Sequence, residues 1–228
     1  MTLATLSDEL RTLADPSRAA QMQAYMKSAM PYHGVPMPVL RQVCRRLFAG
    51  RQWATAEAWT DEVLAVWRDA AYREERYAAL ALAGHRAARA FQVPAAMPLY
   101  EELVVSGAWW DLVDDVATHR IGPILRAHPV AMRPVILEWS RSDHVWKRRA
   151  SIICQVGARD AIDRDLLFAC IEPSLGSREF FLRKAIGWAL RELSKTDPDA
   201  VRAYVDANAE RMSGLSRREA TRRLAPSA

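Results

Sequence analysis

Apolar residues recur at intervals of three and four along much of this chain. In FFLRKAIGWALR at 180–191, such spacing places Leu182, Ala185, Ile186 and Ala189 on one face of a helix. The stretches rich in Ala, Leu, Arg and Glu are separated by few β-branched runs, and neither a hairpin signal nor a βαβ alternation occurs. The pattern predicts an all-α fold.

Proline and small polar residues mark the predicted helix starts, because both are favoured in the first turn or just before it. These positions are Asp15–Ser17, Pro36–Pro38, Thr55, Val93–Pro94, Gly122–Pro123, His128–Pro129, Ser177 and Asp197–Asp199. They predict roughly a dozen helices joined by short connections. Since no linker interrupts the pattern, we expect a single domain over residues 1–228.

A weak internal repeat organises the second half. VWKRRASIICQV at 145–156 aligns without gaps to FFLRKAIGWALR at 180–191, an offset that places Arg149 over Lys184 and Ala150 over Ala185. The same step backwards from Arg149 reaches Asp114. A period of this size with two helices per unit is typical of an α-solenoid of HEAT-like or TPR-like repeats, whose inner helices line a concave binding face.

The composition excludes several classes of protein. Half of the residues are apolar, so the chain can bury a core without disulfides. The three cysteines show no CxxC spacing and are interpreted as buried thiols, and the five histidines form no ligand motif. No nucleotide-binding glycine motif, membrane span or signal peptide is recognisable. We therefore expect a cytoplasmic protein with no metal and no cofactor.

The positive charge is concentrated in the last third of the chain. The net charge is +5, and residues 141–228 hold 17 basic and 12 acidic side chains, whereas the preceding residues are balanced. Such asymmetry favours a surface that faces a polyanion, although a charged helical surface is often only solvated.

The segment WWDLVDD at 109–115 is the most unusual in the chain. On a helix, Trp110 and Asp114 are one turn apart and share a face, so an indole stands over a carboxylate. The alternative is structural: both tryptophans would lie in the core, Asp111 would cap the helix and Asp114 would be solvated or ion-paired.

A second unusual feature is an aromatic side chain within a cationic stripe. Lys184, Trp188, Arg191 and Lys195 follow helical spacing, so the indole could stack on a base or sugar while its neighbours hold phosphates. The alternative is a boundary tryptophan covered by arginine stems.

Several of these segments together resemble one family. WWDxVD at 109–114, WKRRA at 146–150 and EFFLRKAIGWALRE at 179–192, with AxYMKS and GVPMPVLRQ nearer the start, are similar to the AlkD-like DNA alkylation repair enzymes, which are HEAT-like-repeat DNA glycosylases. The resemblance implies a catalytic cleft formed by Trp110, Asp114 and Trp188. It also implies DNA-facing positions, which are Tyr25, Arg41, Arg148, Arg149, Lys184 and Arg191. Met37 departs from the threonine expected before the following proline, so a hydroxyl directed at phosphate is missing there.

The chemistry of such a reaction explains these residue types. An N3- or N7-alkylated purine is already cationic before it leaves, so no group has to protonate it and one carboxylate can suffice to stabilise the sugar and position water. Arg149 suits phosphate binding or holding Asp114 ionised. We expect a monomeric, monofunctional glycosylase acting on alkylated purines in double-stranded DNA. The alternative is a non-catalytic α-solenoid that binds DNA or a protein through the same face.

Overall fold

The computed structural model describes residues 3–224, and every regular element in that range is helical. The α-helices are α1 (Leu3–Thr12), α2 (Pro16–Met26), α3 (Met37–Leu47), α4 (Ala56–Arg68), α5 (Arg73–Ala83), α6 (Met97–Gly107), α7 (Trp110–Val116), α8 (Gly122–Ala127), α9 (Pro129–Ser140), α10 (Val145–Ile153), α11 (Arg164–Ile171), α12 (Phe180–Leu193), α13 (Pro198–Ala207) and α14 (Gly214–Thr221). Short 3₁₀ turns and one π-turn connect some of them. The predicted all-α fold is confirmed.

The chain divides into two compact units, residues 1–92 and 93–228. Each is described by itself, and the single domain expected over residues 1–228 stays a prediction.

The first unit contains α1–α5 around a core that includes Trp59 and Trp67. Two adjacent buried carboxylates hold two loops of this unit in place. Glu74 accepts hydrogen bonds from the backbone N–H groups of residues 33–35, and Glu75 accepts from the backbone of Ala71 and Tyr72. Because buried charges are costly unless they are hydrogen-bonded, these contacts lock the segment that leads into α3.

The second unit stacks α7, α10, α12 and α14 as successive neighbours. Ala150 on α10 and Ala185 on α12 are both fully buried, as expected for equivalent small residues of a repeat. This arrangement is consistent with an α-solenoid of helical repeats.

Most predicted helix starts are observed. Asp15, Thr55 and Asp197 each accept a hydrogen bond from a backbone N–H in the first turn of α2, α4 and α13. The start predicted at Ser177 is wrong, because α12 begins at Phe180. The Ser177 hydroxyl accepts from the backbone N–H of Glu179 instead, which forms a turn ahead of the helix.

The three cysteines are buried free thiols, as predicted. Within residues 3–224, no group of three or more potential ligands could hold a metal ion. None of the helices described has the length and apolar character needed to cross a membrane.

Candidate functional site

A buried ion pair joins α7 to α10. The Nε of Arg149 donates to Oδ1 of Asp114, and its Nη2 donates to Oδ2, both at 2.7 Å. The Arg149 and Asp114 side chains are only 6% and 16% exposed. Two parallel charge-assisted hydrogen bonds of this kind fix the plane of the carboxylate as well as its position.

Arg149 also anchors α12. Its Nη1 donates to the backbone carbonyl oxygen of Phe181 at 2.6 Å, and its guanidinium lies 5.9 Å from the centre of the Phe181 ring. All three guanidinium nitrogens therefore have an acceptor within the protein. Of the two roles considered for Arg149, holding Asp114 ionised fits this geometry, whereas direct contact with phosphate does not, because almost none of the side chain is accessible.

Two opposing effects set the ionisation of Asp114. Burial raises the pKa of the carboxyl above its usual value, and the hydrogen bonds and charge of Arg149 lower it, with a smaller increase from the charge of Asp111. The net shift of the pKa is upward. Asp114 is thus a desolvated carboxyl group, and one arginine opposes the increase in its pKa.

An aromatic cluster supports this pair from one side. The rings of Trp109, Trp146 and Phe181 lie 4.8–6.0 Å apart in tilted and edge-on arrangements, and Phe180 contacts Phe181 at the exposed margin. The Nε1 of Trp109 is buried without a hydrogen-bond partner within residues 3–224. The cluster provides an apolar, low-dielectric flank for the ion pair, which strengthens its electrostatics.

The two tryptophans predicted for the site are both half-buried. Trp110 is the first residue of α7, one turn before Asp114, and Trp188 lies one turn after Lys184 on α12. Leu112, Val113 and Val116 fill the core beneath α7, as predicted. Of the structural alternative, the cap is wrong, because the cap residue is Trp109 rather than Asp111, whereas Asp114 is ion-paired as that alternative has it.

The carboxylate next to Asp114 has different partners. Asp115 lies within 3.4 Å of both His119 and Arg120, on the π-turn that follows α7. Its hydrogen bond raises the pKa of His119. Asp115 therefore binds side chains of this turn, whereas the Asp114 carboxylate is directed toward α10 and α12.

The cationic stripe on α12 is present but neutralised in part. Lys184 and Arg191 both bind Glu219 of α14, with Lys184 Nζ at 2.7 Å from Oε1. Lys195 was placed on the same stripe, and this prediction is wrong, because α12 ends at Leu193 and Lys195 pairs with Glu192. Glu219 was missed from the sequence, although it lies one repeat length after Lys184.

The remaining predicted DNA contacts lie on both units. Arg148, on α10, donates from Nε to the hydroxyl of Ser174 at 3.1 Å. In the first unit, Tyr25 on α2 is 79% exposed and Arg41 on α3 is exposed too. Met37 begins α3 and is also exposed.

Comparison with known proteins shows the family of the chain. A model of the family described as DNA alkylation repair enzyme matches residues 6–224, nearly the whole chain. The chain belongs to the DNA alkylation repair enzyme family. Family membership implies that the protein acts in alkylation repair on DNA.

A solved structure supports the same assignment. A predicted DNA alkylation repair enzyme from Enterococcus faecalis is 28% identical, with a TM-score of 0.84, and the match covers 94% of this chain and 98% of that one. No curated protein matches the chain. The helical repeats and the alkylation repair family expected from the sequence are therefore confirmed, while the site residues stay predictions.

Proposed function

We propose that this alkylation repair protein is a monofunctional DNA glycosylase that hydrolyses the N-glycosidic bond of cationic N3- and N7-alkylated purines. The observation that carries the proposal is the single desolvated carboxylate of Asp114, oriented through both oxygens by Arg149. Half-buried indoles lie on α7, the helix of Asp114, and on α12, the helix whose Phe181 carbonyl binds Arg149.

This set of groups matches the charges of the reaction. The alkylated base carries a positive charge and leaves as a neutral purine, so no group has to protonate it. The positive charge moves to the deoxyribose as the bond breaks, where the Asp114 carboxylate stabilises it and positions the attacking water. Trp110 and Trp188 favour cationic groups through their ring faces.

Arg149 acts on this chemistry through Asp114. Its guanidinium opposes the increase in pKa that burial causes, and its bond to the Phe181 carbonyl holds α10 against α12. It is a positioning residue, and its removal would raise the pKa of the Asp114 carboxyl further and leave the group free to rotate.

The duplex would be held through its phosphates. Exposed or half-buried cations at Arg41, Arg148, Lys184 and Arg191, with Tyr25, are suited to sequence-independent contacts. We propose that the protein works as a monomer on double-stranded DNA, without a cofactor, in the cytoplasm where it associates with the nucleoid.

A non-catalytic DNA-binding solenoid remains the second candidate, and one observation favours it. Both oxygens of Asp114 are engaged by Arg149, as they would be in a purely structural ion pair. Against it, a carboxylate beside a phosphate-binding surface repels the ligand.

Product analysis separates the two candidates. Purified protein is incubated with a duplex containing 7-methylguanine in the presence of EDTA, and free base, abasic sites and strand breaks are each measured. We expect free 7-methylguanine and an equal number of abasic sites, with no enzyme-dependent strand breaks and no borohydride-trapped adduct. Duplex binding without base release would establish the non-catalytic candidate.

A further inference from the structure

Helix α14, the last helix within residues 3–224, is fixed firmly to α12. The hydroxyl of Ser216 donates to the backbone carbonyl of Arg183 at 3.0 Å, while Ser213 caps α14 by accepting from the backbone N–H of Ser216. At Gly187, a Cβ atom would lie 2.4 Å from Cβ of Glu219. Only glycine permits this approach, so α14 is part of the packed structure and its backbone is fixed against α12.

This helix also continues the row of helices that carries the candidate site. The pair Arg149–Asp114 and the pair Lys184–Glu219 are each separated by 35 residues. Helices α7, α10, α12 and α14 are successive neighbours in the second unit. By the same repeat, Arg218 on α14 follows Arg148 and Arg183. The solvent-facing side of α14 is thus the next position along the proposed DNA-binding surface.

The side chains on that side are almost all arginine. Apart from Gly214, every exposed residue in 213–224 is an arginine, and the set is Arg217, Arg218, Arg222 and Arg223. Within residues 3–224, the side chains of Arg218, Arg222 and Arg223 make no hydrogen bond or ion pair, whereas Arg217 donates to the carbonyl of Ala209. Glu219, the acidic residue of this segment, faces inward to Lys184 and Arg191.

We propose that α14 and the two arginines that follow it form an additional phosphate-binding surface, which extends the grip on duplex DNA beyond the candidate site. The inference rests on the proposed function for the choice of partner. Planar guanidinium groups bind phosphate oxygens through two parallel hydrogen bonds, and four of them within residues 217–223 match a backbone with closely spaced charges. A lipid surface fits less well, because no apolar side chain of the segment is exposed for insertion.

The test compares two variants that lose the same charge. The variant Arg218→Gln/Arg222→Gln/Arg223→Gln alters the proposed surface. The control Arg86→Gln/Arg89→Gln/Arg126→Gln removes three exposed arginines elsewhere, for which the structure shows no ion pair. The affinity of each for an undamaged 30-base-pair duplex is measured by fluorescence anisotropy between 50 and 300 mM salt. Thermal unfolding is recorded to confirm that both variants remain folded.

We expect the α14 variant to lose about 2 to 3 units from the slope of log affinity against log salt, since each phosphate contact contributes about 0.9. Its affinity at 100 mM salt should fall at least about tenfold, with an unchanged rate of base release once the DNA is saturated with protein. The control variant should lose about 1 unit of this slope or less.

Three results would overturn the inference while leaving the glycosylase proposal intact. They are an unchanged slope in the α14 variant, an equal loss in both variants, and a loss of binding to anionic phosphatidylglycerol vesicles without a loss of DNA binding. Failure of the wild-type protein to bind duplex DNA would instead contradict the proposed function itself.

Discussion

Replacing Arg149 by glutamine should reveal how much the ion pair at the candidate site contributes to stability. The change removes two hydrogen bonds to Asp114 and one to the Phe181 carbonyl, all at 2.6–2.7 Å. It also leaves a carboxylate that is only 16% exposed without its counter-ion. Removing one partner of a buried ion pair lowers the free energy of unfolding by about 3–5 kcal/mol. Because Asp114 keeps some exposure to solvent, we expect a loss near the lower end, about 3 kcal/mol.

Urea unfolding of the Arg149→Gln variant measures this loss, and an exposed pair provides the control. Arg133 and Asp163 are equally close, at 2.6 Å, but their side chains are 43% and 47% exposed. Arg133→Gln should therefore cost about 1 kcal/mol or less. In addition, the double variant Asp114→Asn/Arg149→Gln should lose less free energy of unfolding than the two single variants together, because no unpaired charge remains. If Arg149→Gln were no more destabilising than Arg133→Gln, the ion pair would not hold α7, α10 and α12 together.

Three further predictions concern pH, packing and lesion charge. In Arg149→Gln, the pKa of Asp114 should rise further, so the low-pH limb of the single-turnover rate should move to higher pH; an unmoved limb would show that Arg149 does not keep the carboxylate charged. Gly187→Ala should lower the free energy of unfolding by about 1–3 kcal/mol, because the new methyl group overlaps Glu219, and wild-type stability by urea unfolding would count against the packing of α14. Base release from matched duplexes should be fast for 7-methylguanine and 3-methyladenine and slow for hypoxanthine, whose departure needs protonation; comparable rates would reveal a general acid.

The sequence predicted the helices and the face of α7 because both depend on local spacing. Helical periodicity placed Trp110 and Asp114 one turn apart, and the repeat placed Arg149 in register with Asp114. The structure shows in addition that these two residues, which occupy equivalent positions of the repeat, contact each other through their side chains. A gapless repeat thus carried information about tertiary contacts.

Other features of the site depend on contacts that no local pattern encodes. The bond from Arg149 to a backbone carbonyl of α12 requires the relative placement of two helices, and a carbonyl has no sequence signature. The π-turn after α7 likewise has no recognisable signal. Glu219 was overlooked because it lies among arginines, although the repeat length pointed to it.

The most direct test of the central claim is the single-turnover rate of 7-methylguanine release by the Asp114→Asn variant. Asparagine keeps the size of the side chain and one acceptor oxygen for Arg149, but it carries no charge to stabilise the sugar. The rate should fall by roughly two orders of magnitude or more, with duplex binding unchanged or tighter. Asp111→Asn and Asp115→Asn should retain activity. A wild-type rate in Asp114→Asn would contradict the assignment of this carboxylate to the reaction.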